Sequence, residues 1–120
     1  MDDRPRIDSL IKQFVEALNN DNFSAIPLTQ EVTYNGSMLP DALVGAAQVV
    51  EHLQQISPFL VDVNIKEKVI EADRAAVIVR FTAVNGIQVL CCYFLRFQLG
   101  KICEIHAIFD SHFLISGTQP

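Results

Sequence analysis

The sequence predicts an α+β domain, with helices packed on one face of a strongly curved antiparallel sheet. Apolar residues recur at helical spacing in the first half, at Ile7, Leu10, Ile11, Phe14, Val15 and Leu18, and again at Val49, Val50, Leu53 and Ile56. The second half carries β-branched and aromatic runs instead, the densest over residues 89–99 and 102–110. Short turn formers separate those runs, notably Asn85-Gly86 and Gly100-Lys101. Helices first and strands later is the arrangement of an α+β fold, not of alternating βαβ units.

Each element has its own signal. Residues 8–18 form the first helix, opened by Asp8 or Pro5 and stopped by the turn formers Asn19-Asn20-Asp21-Asn22. Residues 23–26 read as a short second helical turn that Pro27 ends. Residues 28–34 form a short strand carrying Val32 and Tyr34, broken by Asn35-Gly36-Ser37. Residues 38–45 form a loop rich in apolar side chains, Met38 and Leu39 among them, as the rim of a pocket would be. Residues 46–56 form the third helix, with His52 placed at its surface beside the apolar stripe, and Ser57-Pro58 ends it. Four strands follow, over 60–70, 75–84, 88–99 and 102–110. Residues 116–120 read as a frayed tail on a single domain spanning residues 1–120.

Composition narrows the function classes. Half of the residues are hydrophobic and the mean hydropathy is +0.27, high for a chain of 120 residues. Such an excess lines a cavity or lies on a sheet face that a partner covers. The net charge is −5 and the nine Lys and Arg are scattered, which argues against a nucleic-acid role. Three cysteines, two of them adjacent, make no disulfide framework and have no zinc spacing. The histidines lack paired metal spacing and the glycines form no phosphate-cradling loop, so neither a metal nor another cofactor is expected. The polar start of the chain lacks an apolar signal core, and no run approaches the roughly 18–20 apolar residues of a membrane span. The expectation is a cytoplasmic protein without a membrane partner.

Three stretches carry a family resemblance: 14–23, 44–53 and 100–110, in that order and spacing. With them, nearly the whole chain resembles the nuclear transport factor 2-like (NTF2-like) superfamily, and within it the SnoaL-like group of polyketide cyclase, epoxide hydrolase and ketosteroid isomerase relatives. The resemblance implies a cone-shaped α+β barrel, three N-terminal helices on a bent antiparallel sheet, with an apolar interior pocket. It also implies pairing of two copies through the outer sheet face, here Cys92, Phe94 and Arg96. In the terpene-epoxide hydrolases of the superfamily an early-strand Tyr resembles Tyr34, and a later strand offers an inward Arg and Asp two apart. This chain has Arg80 and Thr82 at those two places, and Ala107 where a second inward Asp would stand. Opening an epoxide with water needs a carboxylate base and an acid, and neither Thr82 nor Ala107 supplies one.

The implied pocket is lined by Phe14, Tyr34, Met38, Arg80, Thr82, Tyr93, Ile105, Ala107 and Phe109. For chemistry, the candidates are Tyr34, Arg80, His106 and Asp110. Glu104, His106 and Asp110 share one strand face by period two, as an acid/base set or as a polar outer stripe. Arg80 either meets an anionic ligand, pairs with an acid or leans to solvent. His112 is expected at the surface. Two functions fit these residues. One is a pocket for a small apolar molecule, with or without proton-transfer catalysis of the isomerase or cyclase type. The other is a non-catalytic dimeric interaction or assembly domain.

Overall fold

The computed structural model describes residues 4–37, 39–83 and 86–109. Helix α1 spans Arg4–Asn20, strand β1 Leu28–Gly36, β2 Leu43–Val44 and helix α2 Ala46–Ile56. Strands β3 (Val61–Glu71), β4 (Arg74–Thr82), β5 (Gln88–Gln98) and β6 (Lys101–Phe109) follow. The six strands form one mixed, curved sheet in the order β2-β1-β6-β5-β4-β3. The described part of the chain therefore has an α+β fold. Both helices lie against the inner face, and the core is the layer between.

Two expectations about the architecture are corrected. The described residues form two α-helices where three were expected: residues Phe23–Ala25 make a single 3-10 turn, which Pro27 and its extended neighbours cannot prolong. A second such turn, Ser57–Phe59, follows α2. The sheet is not wholly antiparallel, because β1 pairs with β6 in parallel, Tyr34 beside Ile105 and Gly36 beside Ala107. That pairing joins segments about seventy residues apart, and no local periodicity encodes it. Helix α1 also starts earlier than expected, at Arg4 with Pro5 in its first turn, where a missing N–H costs no hydrogen bond.

Bulges bend this sheet. In β3 the register to β4 slips by one residue between Val61 and Asn64, and again between Ile65 and Glu67. In β6 it slips between Phe97–Ile102 and Arg96–Glu104, leaving Cys103 as the extra residue. Each extra residue adds twist and reverses the inside–outside phase of the strand beyond it. Ile102 and Ile105 are therefore both buried although their spacing is odd. At the first β3 bulge Asp62 takes a φ of +54°, and the backbone of Val63 turns from the ladder. The Asn19 side chain meets it there: Val63 N donates to Oδ1 and Nδ2 donates to Val63 O, both at 2.8 Å. The start of α1 is tied to β3 by charge, Asp8 bridging Lys68 and Lys12. The Lys68 hydrogen bond, aided by Lys12, holds the Asp8 carboxyl below its ordinary 3.8.

The β5–β6 turn falls one residue earlier than the sequence suggested. Gln98 pairs with Lys101 around Leu99 and Gly100, at φ +53° and +74°, the pattern of a type I′ turn. Gly100 accepts this freely, whereas Leu99 is strained there and is 92% exposed, so it gains no packing in return. Leu99→Asn is expected to raise the unfolding free energy by about 1 kcal/mol, read from a urea titration. An unchanged or lower midpoint would refute the strain.

Candidate ligand-binding site

The inner face is set by strict alternation on β4 and β5. Val77, Val79 and Phe81 point inward from β4, and Val89, Cys91, Tyr93, Leu95 and Phe97 from β5. Val32 and Tyr34 of β1 and Ile105 and Ala107 of β6 continue that face. Helix α1 covers one end, where Phe14 meets Tyr93 edge to face, 5.0 Å between ring centres. Between the other end of the sheet and α2 a cavity of about 180 Å³ remains. Tyr34, Gly36, Leu39, His52, Ile56, Phe59, Leu60, Phe81, Cys91, Tyr93 and Phe109 line it. The larger grooves, of about 840 and 640 Å³, are open and more polar, one at the α1 start and one beside Arg80.

Few polar atoms reach the cavity, and they differ in what they can do. The Tyr93 hydroxyl and the Cys91 sulfur, two residues apart on one strand face, are close enough to influence each other. Burial pushes that phenol well above its ordinary range, and pushes the Cys91 thiol up to about 12. Both stay protonated near neutrality, so Cys91 is not a ready nucleophile. Tyr34 is 1% exposed, and burial raises its pKa too. Its hydroxyl makes no hydrogen bond among the described residues. His52 packs edge-on against the Tyr34 ring, 4.9 Å between centres. Burial lowers its pKa below the ordinary 6.5, which favours the neutral imidazole.

Gly36 fixes how close Tyr34 can come. A Cβ there would lie 3.2 Å from Tyr34 Cε1 and 3.6 Å from Leu39. Ser37 then closes the strand end onto β6: its N donates to Ala107 O at 3.2 Å, and its Oγ accepts from Phe109 N at 3.0 Å.

The residues proposed from sequence fall into three groups. Tyr34, Tyr93 and Phe109 line the cavity; Phe14, Ile105 and Ala107 are buried beside it in the core without lining it. Arg80 and Thr82, expected inward, belong instead to the outer face and to the open groove near Asn64 and Gln88. Alternation forces this: once Val77, Val79 and Phe81 fill the core, their neighbours point away. Arg80 is exposed, the solvent-facing option of its three. His106 is likewise exposed on the outer face, its ring 6.3 Å from that of Phe94, so it joins no acid/base set inside. Met38, Asp110, His112, the Asn85 turn position and the 116–120 tail lie outside the described residues.

His52, expected at the surface, is half-buried and lines the cavity. The signal was present in the sequence: Val49, His52, Leu53 and Ile56 follow the i, i+3, i+4, i+7 spacing of one helix face. Because folding lowers its pKa, the unfolded chain binds the proton more readily. Stability is therefore expected to fall as pH drops through 6.5 and to level off below the depressed value. Urea midpoints between pH 7.5 and 5 would show this slope, and His52→Gln would remove it. A His52→Gln variant with the same slope would assign the effect elsewhere.

Among the described residues, no Asp or Glu lines the cavity and no three His, Cys, Asp or Glu side chains gather as a metal site. No described helix is long and apolar enough to cross a membrane. The site offers a shaped apolar space, the Tyr34 hydroxyl as a hydrogen-bond donor and a neutral imidazole.

The chain matches, over residues 1–120, a family described as Domain of unknown function (DUF4904). No curated protein matches it. Among solved structures it is similar to an NTF2-like protein of unknown function from Cytophaga hutchinsonii, with 22% identity and a TM-score of 0.75, covering 88% of this chain and 91% of that one. It is similar to a de novo designed protein with a curved β-sheet, with 19% identity and a TM-score of 0.81, covering 98% and 94%. It is also similar to a hypothetical protein with a ketosteroid isomerase-like fold from Catenulispora acidiphila, in complex with trimethylamine, with 12% identity and a TM-score of 0.77, covering 91% of each. At such identities the likeness speaks for the fold alone, and that fold is the NTF2-like one which the sequence resembles.

Proposed function

This chain belongs to the DUF4904 family, and from that premise and the cavity geometry we propose that it binds a small apolar molecule between α2 and the curved sheet. One observation carries the reading: Tyr34, a residue only 1% exposed, lines an apolar cavity, and its hydroxyl makes no hydrogen bond among the described residues. Among the described residues no fully buried side-chain N or O lacks a partner, so this hydroxyl stays open to whatever occupies the cavity. A ligand that accepts its hydrogen bond would take the place of water there. The similar fold seen with trimethylamine supports small-molecule occupancy as a use of such folds. For proton transfer, His52 is the lining group whose ordinary pKa lies nearest neutrality, with Tyr34 as hydrogen-bond donor. The test is methyl NMR of the protein titrated with a mixture of small apolar compounds. Shifts confined to Leu39, Ile56 and Leu60 support the site; no shift at any of them refutes it.

The outer face favours a second role that is compatible with the first. Across the sheet, exposed Ile108 (47%) is in register with Cys92 and Ile78, and exposed Phe94 (46%) with Ala76 and exposed Val69 (61%), while exposed Leu90 (55%) stands opposite Arg80. They suit a face covered by a second copy, as the resemblance implies. Sedimentation at micromolar concentration tests it: a monomer throughout rules this pairing out.

A further inference from the structure

The cavity's size and polarity also point to a class of ligand, an inference that rests on the binding reading above. A closed apolar cavity of about 150 Å³ accommodates benzene. At about 180 Å³ this one has room for one six-membered ring and one or two further atoms, but not for two fused rings. Among the described residues no Arg or Lys lines it, and Arg80 is exposed on the outer face, so a bound carboxylate would meet no counter-charge from them. The Tyr93 ring is held against Phe14 of α1 and its hydroxyl lies beside the Cys91 sulfur, whereas Tyr34 sits next to His52 at the α2 side of the cavity, which makes Tyr34 the phenolic donor for a ligand there. A second polar group on the ligand would face Phe81, Leu60 or Ile56 and lose its hydration. We propose that the site selects a neutral, single-ring compound bearing one hydrogen-bond acceptor, such as a cyclic ketone, with that acceptor held by Tyr34.

The chain suits a direct test because it has two tyrosines and no tryptophan, and both tyrosines line the cavity. Its intrinsic fluorescence therefore reports on this site. Four probes without ultraviolet fluorescence separate the effects of size, charge and hydrogen bonding: cyclohexanone, methylcyclohexane, cyclohexanecarboxylate and 1-decalone. Calorimetry gives the affinities and tyrosine emission locates the binding. Cyclohexanone is expected to bind at least tenfold more tightly than each of the other three. In Tyr34→Phe its advantage over methylcyclohexane should vanish while methylcyclohexane binds as before. Because Tyr34→Phe removes an unpaired hydroxyl, it should fold, and its melting curve checks that. If Tyr34→Phe nevertheless fails to fold, Gly36→Ala serves instead: its added methyl crowds Tyr34 and should weaken cyclohexanone binding at least tenfold. Equal binding of 1-decalone overturns the size limit, and equal binding of the carboxylate overturns the charge selection. An undiminished ketone preference in folded Tyr34→Phe, or unweakened binding in Gly36→Ala, overturns the role of Tyr34. If none of the four binds or alters the emission, the binding reading itself fails, and this one with it.

Discussion

Phe14→Ala is expected to lower the unfolding free energy by about 3–5 kcal/mol, the largest effect expected of a single substitution in this core. Phe14 is 1% exposed and sits where α1 crosses the sheet, its ring set edge to face on Tyr93. Truncation removes the apolar burial, leaves a void that rigid β-strands cannot fill, and forfeits an aromatic pair worth about 0.5–1.5 kcal/mol. The void opens behind Tyr93, whose other side faces the cavity. The same variant should therefore admit a larger ligand, binding 1-decalone where the parent protein does not. Urea unfolding checks the first outcome and calorimetry the second. A loss below about 1 kcal/mol would mean that α1 is not seated on Tyr93 as described.

The second large effect is expected at Asn19. Its amide replaces the two ladder hydrogen bonds that the bulge in β3 takes from Val63, at 2.8 Å each. Val63 is 3% exposed, so water does not readily replace the amide. Asn19→Ala leaves one donor and one acceptor unpaired, for a loss of about 2–4 kcal/mol by urea titration. The C-terminal end of α1 should also loosen from β3, seen as faster amide exchange at Val63. Asn19→Asp keeps the acceptor and loses the donor, so an intermediate cost is expected. If Asn19→Ala unfolds at the parent's midpoint, the clasp contributes nothing.

Much of this architecture is legible in the chain. Helix α2 occupies residues 46–56 as its apolar spacing and Ser57-Pro58 require, and the four long strands fall within a residue or two of their predicted ends. Those signals are local. The parallel β1–β6 pair is not, and it places Tyr34 beside Ile105 without any mark in either segment. The bulges are hidden for a different reason: one extra residue changes which neighbours are buried without changing composition, as at Ile102, Cys103 and Ile105. The cavity is less legible. A family's inward Arg and Asp positions, carried onto Arg80 and Thr82, contradict the alternation of Val77, Val79 and Phe81. The core face of that strand is continuously apolar, and strand periodicity outweighs the analogy there. His52 lies on an apolar helix face wider than its hydrophobic residues alone suggest, since its spacing from Val49 and Ile56 puts it among the core residues.

The two lateral borders of the sheet carry a final implication. One border, β2, is two residues long, and the other, β3, is interrupted twice by bulges. Neither offers a long, flat row of free amides and carbonyls for another strand to extend. Strand addition therefore meets a short or broken template at each margin, and a face-to-face pairing of copies, as proposed above, would not continue into a fibre.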